Sequence, residues 1–153
     1  MKLFTAALMT AACLVSASAF ASGQERHDHS KHAGMGGTVH EEVVDGVKAG
    51  FTVQTMKEAM KSMGMELPKG VTETHHISLT LTEVKNGRII TEGEARLKVI
   101  GPDKTDQTRD LMAMHGHFGA DVAMVKKGTY GIMCKFKTAD GRTRQTRFWY
   151  TVK

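Results

Sequence analysis

Hydrophobic and polar residues alternate over most of the chain beyond position 75. Segments 77–82 and 94–99 are apolar at odd positions, and segment 130–136 is apolar at even positions. Such alternation is typical of strands with one buried face. Asn86-Gly87 and Asp140-Gly141 are typical hairpin turns between such strands. The spacing predicts about seven short strands in an antiparallel β-sandwich.

A single short helix is predicted before these strands. Segment 47–53 reads as a first strand, after which Thr55 and Glu58 have the spacing of a capping box and Gly64 provides a stop. The expected helix therefore lies near 56–64. Its methionines share one face and are expected to pack on the core. An alternative is a secondary soft-metal surface made of Met60, Met63 and Met65.

Residues 1–21 read as a signal peptide. Lys2 is followed by an uncharged apolar run, and Ala19-Phe20-Ala21 has the small-x-small pattern of a cleavage site. The mature protein is then expected to be periplasmic or secreted, without a membrane span. A membrane anchor or lipid attachment at Cys13 is a less favoured alternative, because Thr10 replaces the large aliphatic residue expected three positions before a lipidated cysteine.

The segment 22–42 is polar and rich in glycine and histidine, so we expect a flexible tail. Its imidazoles could gather a divalent ion loosely, or the tail could be a solvated linker. The folded domain is then expected to span 43–153. The four histidines of the tail are His27, His29, His32 and His40.

Composition narrows the function. The 153 residues carry a formal charge of +5, with lysine and arginine scattered, which does not favour nucleic acid as a partner. After cleavage Cys134 is the only cysteine, so no internal disulfide can form. Its alternation with apolar neighbours predicts a core position. The 11 methionines are the main compositional signal.

The strongest chemical signal is a cluster of thioethers and imidazoles within segment 111–119. Met112, Met114, His115 and His117 are ligand types that copper prefers, and the thioethers favour Cu(I), with zinc as an alternative. His76 is the next candidate, because only one residue of a His-His pair on a strand can face a common site. A methionine-rich hairpin with incidental histidines is the competing interpretation.

The Gly128-Thr129-Tyr130 segment, the Met-x-Met segment before it and the final Phe-Trp-Tyr-Thr-Val strand resemble YtkA-like domains. More broadly, residues 76–153 are similar to small exported immunoglobulin-like copper-binding modules of the CopC type. The resemblance implies an immunoglobulin-like β-sandwich in the periplasm and copper handling by the Met/His loop. Unlike CopC-type proteins, this chain has no histidine at the expected mature amino terminus.

No dinucleotide-binding, hydrolase, thioredoxin or haem-attachment motif is found in the sequence. We therefore expect a binding protein and no enzyme. The favoured function is a periplasmic copper carrier or buffer that exchanges metal with another envelope protein. The alternative is a structural or protein-interaction module of the cell envelope that binds no metal.

Overall fold

The computed structural model describes residues 37–153. The predicted signal peptide, Cys13 and the tail up to residue 36 lie outside the described residues. The elements in chain order are β1 (Thr38–Val44), β2 (Val47–Thr55), α1 (Met56–Ser62), β3 (His75–Glu83), β4 (Ile89–Ile90), β5 (Glu94–Ile100), β6 (Asp106–Met114), β7 (His117–Val122), β8 (Gly128–Lys137) and β9 (Thr143–Val152).

The strands pair antiparallel in the order β1-β2-β3-β7-β6-β5-β8-β9, and the short β4 pairs with β3. Strand β6 belongs to both layers of the sandwich, because residues 106–111 pair with β5 and residues 112–114 pair with β7. We call β1, β2, β3 and β7 the first layer, and β5, β8 and β9 the second layer. The hairpin between β6 and β7 therefore lies in the first layer.

A single hydrophobic core fills the space between the layers. Phe51, Leu79 and Phe118 face it from the first layer, and Leu97 and Ile132 face it from the second; each is at most 1% exposed. Their alternation with exposed neighbours gives each strand one buried face. The predicted all-β antiparallel, immunoglobulin-like sandwich is confirmed, with nine strands in the described range where about seven were expected.

The expected boundary of the flexible tail at residue 42 is wrong. Residues 38–44 form β1, which pairs with β2. Both faces of β1 are largely exposed, which is consistent with its polar residues. It is held by backbone pairing and by the ring of His40, which stacks on Phe148 with centroids 4.8 Å apart.

Helix α1 confirms the capping prediction. The Thr55 hydroxyl accepts a hydrogen bond from the backbone N–H of Glu58, whose side chain accepts one from the Thr55 N–H. Met56 is buried, as packing on the core requires, whereas Met63 is exposed. The helix has seven residues, and no helix within residues 37–153 is long and apolar enough to cross a membrane.

Candidate metal centre

Strand β7 lies between β3 and β6, and its register decides which side chains are neighbours on the outer face of the first layer. Asp121 of β7 is opposite His76 of β3. Gly119 is opposite Ser78 of β3 on one side and Met112 of β6 on the other. Directly paired residues of an antiparallel sheet point to the same face, so these residues share the outer face.

The β6–β7 hairpin adds two more ligand types to this face. His115 and Gly116 form its two-residue turn with φ of 38° and 90°, which suits the right-handed twist of the strands. The turn places Met114 directly opposite His117. His115 itself lies exposed in the turn, outside the strand pairing. The sequence placed His115 beside His117; the register brings only His117 onto the shared face.

The side chains of the face converge above Gly119. A methyl group added to this glycine would lie 2.9 Å from Nε2 and 2.9 Å from Cε1 of His76, and 3.1 Å from the methyl carbon of Met114. The imidazole edge and the end of the thioether therefore approach the same point from two different strands. We call the part of the outer face above Gly119, where His76 and Met114 approach each other and Met112 and His117 are neighbours by strand pairing, the Gly119 gap.

The His76 ring is held by a carboxylate. Its Nδ1 lies 2.6 Å from Oδ1 of Asp121, and its side chain is 16% exposed. A carboxylate accepts hydrogen bonds, so Nδ1 donates its proton, and in the neutral ring Nε2 then carries the lone pair. Histidine ligands in metal sites are commonly oriented by such a carboxylate partner. The nitrogen that is free to bind metal is the one above Gly119.

Exposure increases across the gap from floor to rim. Ser78 and Gly119 are buried, whereas Met114 and His117 are half-buried. Met112 is 70% exposed. An ion held above Gly119 would therefore contact His76 and Met114 on a partly covered floor, with Met112 at the solvent edge.

The donor set fits a soft metal better than a hard one. Within residues 37–153 no three side chains of histidine, cysteine, aspartate or glutamate are grouped so that they could hold a metal ion. The Gly119 gap combines two imidazoles with two thioethers instead. Thioethers bind Cu(I), whereas zinc, calcium and magnesium favour nitrogen, thiolate or oxygen ligands.

Comparisons with known proteins support the fold. No family model matches the chain, and no curated protein matches it. Among solved structures, FetP of uropathogenic Escherichia coli strain F11, expressed in the periplasm, aligns with a TM-score of 0.58 and 11% identity over 75% of this chain and 93% of its own. A copper-bound variant of FetP aligns with a TM-score of 0.57 and 15% identity over 73% and 93%.

A DUF4426 family protein from Pseudomonas aeruginosa PAO1 aligns with a TM-score of 0.56 and 9% identity over 74% of this chain and 96% of its own. At these identities the likeness concerns the fold alone. It supports a small β-domain with a fold similar to that of these structures. The narrower resemblance to YtkA-like and CopC-type modules stays a prediction.

Other candidate residues from the sequence lie away from the gap. His75 faces the core side of β3 and is buried, as the alternation with His76 predicts, and burial lowers its pKa. Cys134 is fully buried, in agreement with the predicted core position. Met124 is also part of the core. Met133 pairs with Lys98 and Arg147 in the second layer, away from the β6–β7 hairpin.

Gly119 and Asp121 were not among the site residues predicted from the sequence. Both follow His117 at intervals of two, so the alternation of β7 indicated that they share its face of the strand. What the sequence did not show is the pairing of β7 with β3, which brings Asp121 to His76 across 45 positions of the chain. The hydrogen bond between Asp121 and His76 depends on this long-range strand pairing.

Proposed function

We propose that this protein binds Cu(I) in the Gly119 gap and acts as a copper carrier or buffer outside the cytoplasm. The proposed ligands are His76, Met114 and His117, with Met112 at the solvent edge. The observation that carries the proposal is the close approach of two ligand side chains from different strands: His76 Nε2 and the Met114 methyl carbon lie 2.9 Å and 3.1 Å from the position that a Cβ on Gly119 would take.

The chemistry of the ligands favours copper over zinc. Thioether sulfur is a soft donor that selects Cu(I), and imidazole accepts copper in either oxidation state as well as zinc. A purely zinc-binding role would leave the approach of the Met114 thioether to His76 without a purpose. The copper-bound FetP variant, which has a similar fold, is consistent with copper chemistry on such a scaffold.

A carrier function follows from the exposure of the site. A carrier must release its ion to a partner, and an exposed ligand on the rim gives the partner access without unfolding the domain. Met112 is exposed in this way. The proposed role is therefore binding and exchange with another envelope protein that donates or accepts copper, and it involves no catalytic step.

The test is an anaerobic competition titration of the protein with Cu(I) against a chromogenic chelator. We expect one tight equivalent in the wild type and its loss in the double variant Met112→Leu/Met114→Leu, because leucine keeps the size and removes the sulfur. The matched control is Met63→Leu/Met65→Leu, which removes two exposed methionines outside the gap. Equal affinity in the first double variant and the wild type would contradict the proposal.

The second candidate is a protein-interaction module. It is favoured by Trp149, whose side chain is 68% exposed on the outer face of the second layer. Aromatic side chains of this kind are enriched at protein interfaces. A wild-type protein that does not compete for Cu(I) would favour this candidate over the copper carrier.

A further inference from the structure

We propose that Asp121 is a positioning residue that fixes the His76 ring with Nε2 directed toward the Gly119 gap. The inference rests on the proposed function, since the orientation matters for a metal ion. It assigns a role to a residue that would not itself contact the ion.

The geometry supports a fixed orientation. Asp121 and His76 are cross-strand partners, so their Cα positions are set by the sheet and not by a flexible loop. The 2.6 Å contact joins Asp121 Oδ1 to Nδ1, the ring nitrogen on the side away from the gap. A hydrogen bond at one ring nitrogen decides which tautomer is present and which nitrogen can bind metal.

Because little of the His76 ring is exposed, the nitrogen that carries the proton determines whether the gap can bind metal. The His76 side chain is 16% exposed, whereas that of Asp121 is 47% exposed. The ring is therefore largely enclosed, and its Nε2 lies 2.9 Å from the position that a Cβ on Gly119 would take, with the Met114 methyl carbon 3.1 Å from the same position. If the proton were on Nε2, the gap would be lined by a donor N–H in place of a lone pair, and metal could not bind there without a change of tautomer.

The first experiment examines the metal-free protein and is independent of copper. Nitrogen-15 NMR at about pH 8, above the usual imidazole pKa of about 6.5, distinguishes protonated from unprotonated ring nitrogens. The His76 signals are identified by their loss in His76→Gln. We expect the wild type to carry the proton on Nδ1, and Asp121→Ala to shift the population toward the Nε2–H form that free neutral histidine prefers.

The second experiment measures Cu(I) affinity in the same variants. Loss of such an outer partner typically costs about 10- to 100-fold in metal affinity, and we expect this loss in Asp121→Ala. Asp121→Asn keeps an oxygen that can accept from Nδ1 and should restore much of the affinity. The control is Asp110→Ala, which removes an aspartate paired with Arg96 in the second layer and should change neither readout.

The outcomes separate the two proposals. A wild type that binds Cu(I) while Asp121→Ala keeps both the tautomer and the affinity would overturn the positioning role alone. A wild type that binds no Cu(I) would overturn the proposed function and with it the metal-related role of Asp121, whatever the tautomer. A tautomer shift together with a fall in affinity, relieved in Asp121→Asn, is the expected result.

Discussion

The two outer faces of the sandwich have the same strand geometry but carry different types of side chain. On the second layer, charged side chains stand in pairs, such as Arg96 with Asp110 at 2.6 Å and Lys98 with Asp106 at 2.9 Å. On the first layer, the imidazole of His76 and the thioether of Met114 approach one point above Gly119, and Met112 and His117 are neighbours by strand pairing. The first pattern is typical of a solvated surface, and the second is typical of a binding site.

The two layers differ in their outward-facing side chains, whereas their inward-facing side chains are mostly apolar in both. Both layers contribute large apolar residues to a common core. On the first layer, His76 and Met114 from the two neighbouring strands approach each other over a buried glycine in β7, and a hydrogen bond between His76 and Asp121 orients the imidazole ring. Candidate sites on β-sandwiches are therefore better sought where small residues interrupt an outer face than where polar residues are merely frequent.

The largest predicted contrast is between the outward thioethers of Met112 and Met114 in the first layer and the buried thiol of Cys134 in the second. Burial raises the pKa of the Cys134 thiol to about 12. A raised thiol pKa reduces the thiolate fraction at neutral pH, and the thiolate is the reactive form. In a chain that starts at Ser22, where Cys134 is the only cysteine, we expect thiol modification at least about 1000-fold slower in the folded than in the unfolded protein.

Stopped-flow modification with a chromogenic thiol reagent, with and without denaturant, measures this ratio. Addition of Cu(I) should leave the native rate unchanged, because Cys134 lies in the core and outside the Gly119 gap. A native rate close to that of the unfolded chain would show that the Cys134 thiol is accessible in the folded protein. This result would contradict the predicted contrast between the outward thioethers and the buried thiol.

A smaller contrast is expected between the two methionines of the first layer. Met114 approaches the Gly119 gap directly, whereas Met112 is at the exposed rim. We expect Met114→Leu to weaken Cu(I) binding by at least about tenfold more than Met112→Leu, a difference of about 1.4 kcal/mol. Competition titrations of the two single variants give this ratio, and equal losses would contradict the gradient from floor to rim.

The smallest effect is predicted for the charged face. The side chains of Lys98 and Asp106 are 45% and 52% exposed, so their ion pair is largely screened by solvent. We expect Lys98→Ala to change the free energy of unfolding by about 0–1 kcal/mol, with less effect at high salt. Urea unfolding at two salt concentrations measures this change, while the affinity for Cu(I) should equal that of the wild type. A loss of copper affinity would mean that the two faces are coupled.

Local patterns predicted most elements of the fold. Period-two alternation identified the strands that contribute to the core, and the Thr55–Glu58 pair located the start of α1. Strand β1 was missed because an edge strand with two exposed faces has no apolar alternation. Its stability comes from pairing with β2 and from the contact between His40 and Phe148, and neither is visible in the local sequence.

The candidate site was only partly predictable for the same reason. The sequence indicated Met112, Met114 and His117, because they are close together in one hairpin. It also indicated His76 by residue type, without a partner. The adjacency of β3 and β7 results from packing of the whole sandwich, so the contact between His76 and Asp121 could not be read from local spacing.

The central claim is tested most directly by the Cu(I) competition titration of Gly119→Ala beside Gly131→Ala. The added methyl group at 119 would lie 2.9 Å from the His76 ring and 3.1 Å from the Met114 methyl carbon, so it displaces these side chains without removing a ligand. At Gly131 in the second layer, the methyl group meets no atom within 4 Å. We expect Gly119→Ala to lose the tightly bound equivalent of Cu(I) and Gly131→Ala to keep it. Wild-type affinity in a folded Gly119→Ala variant would contradict the account.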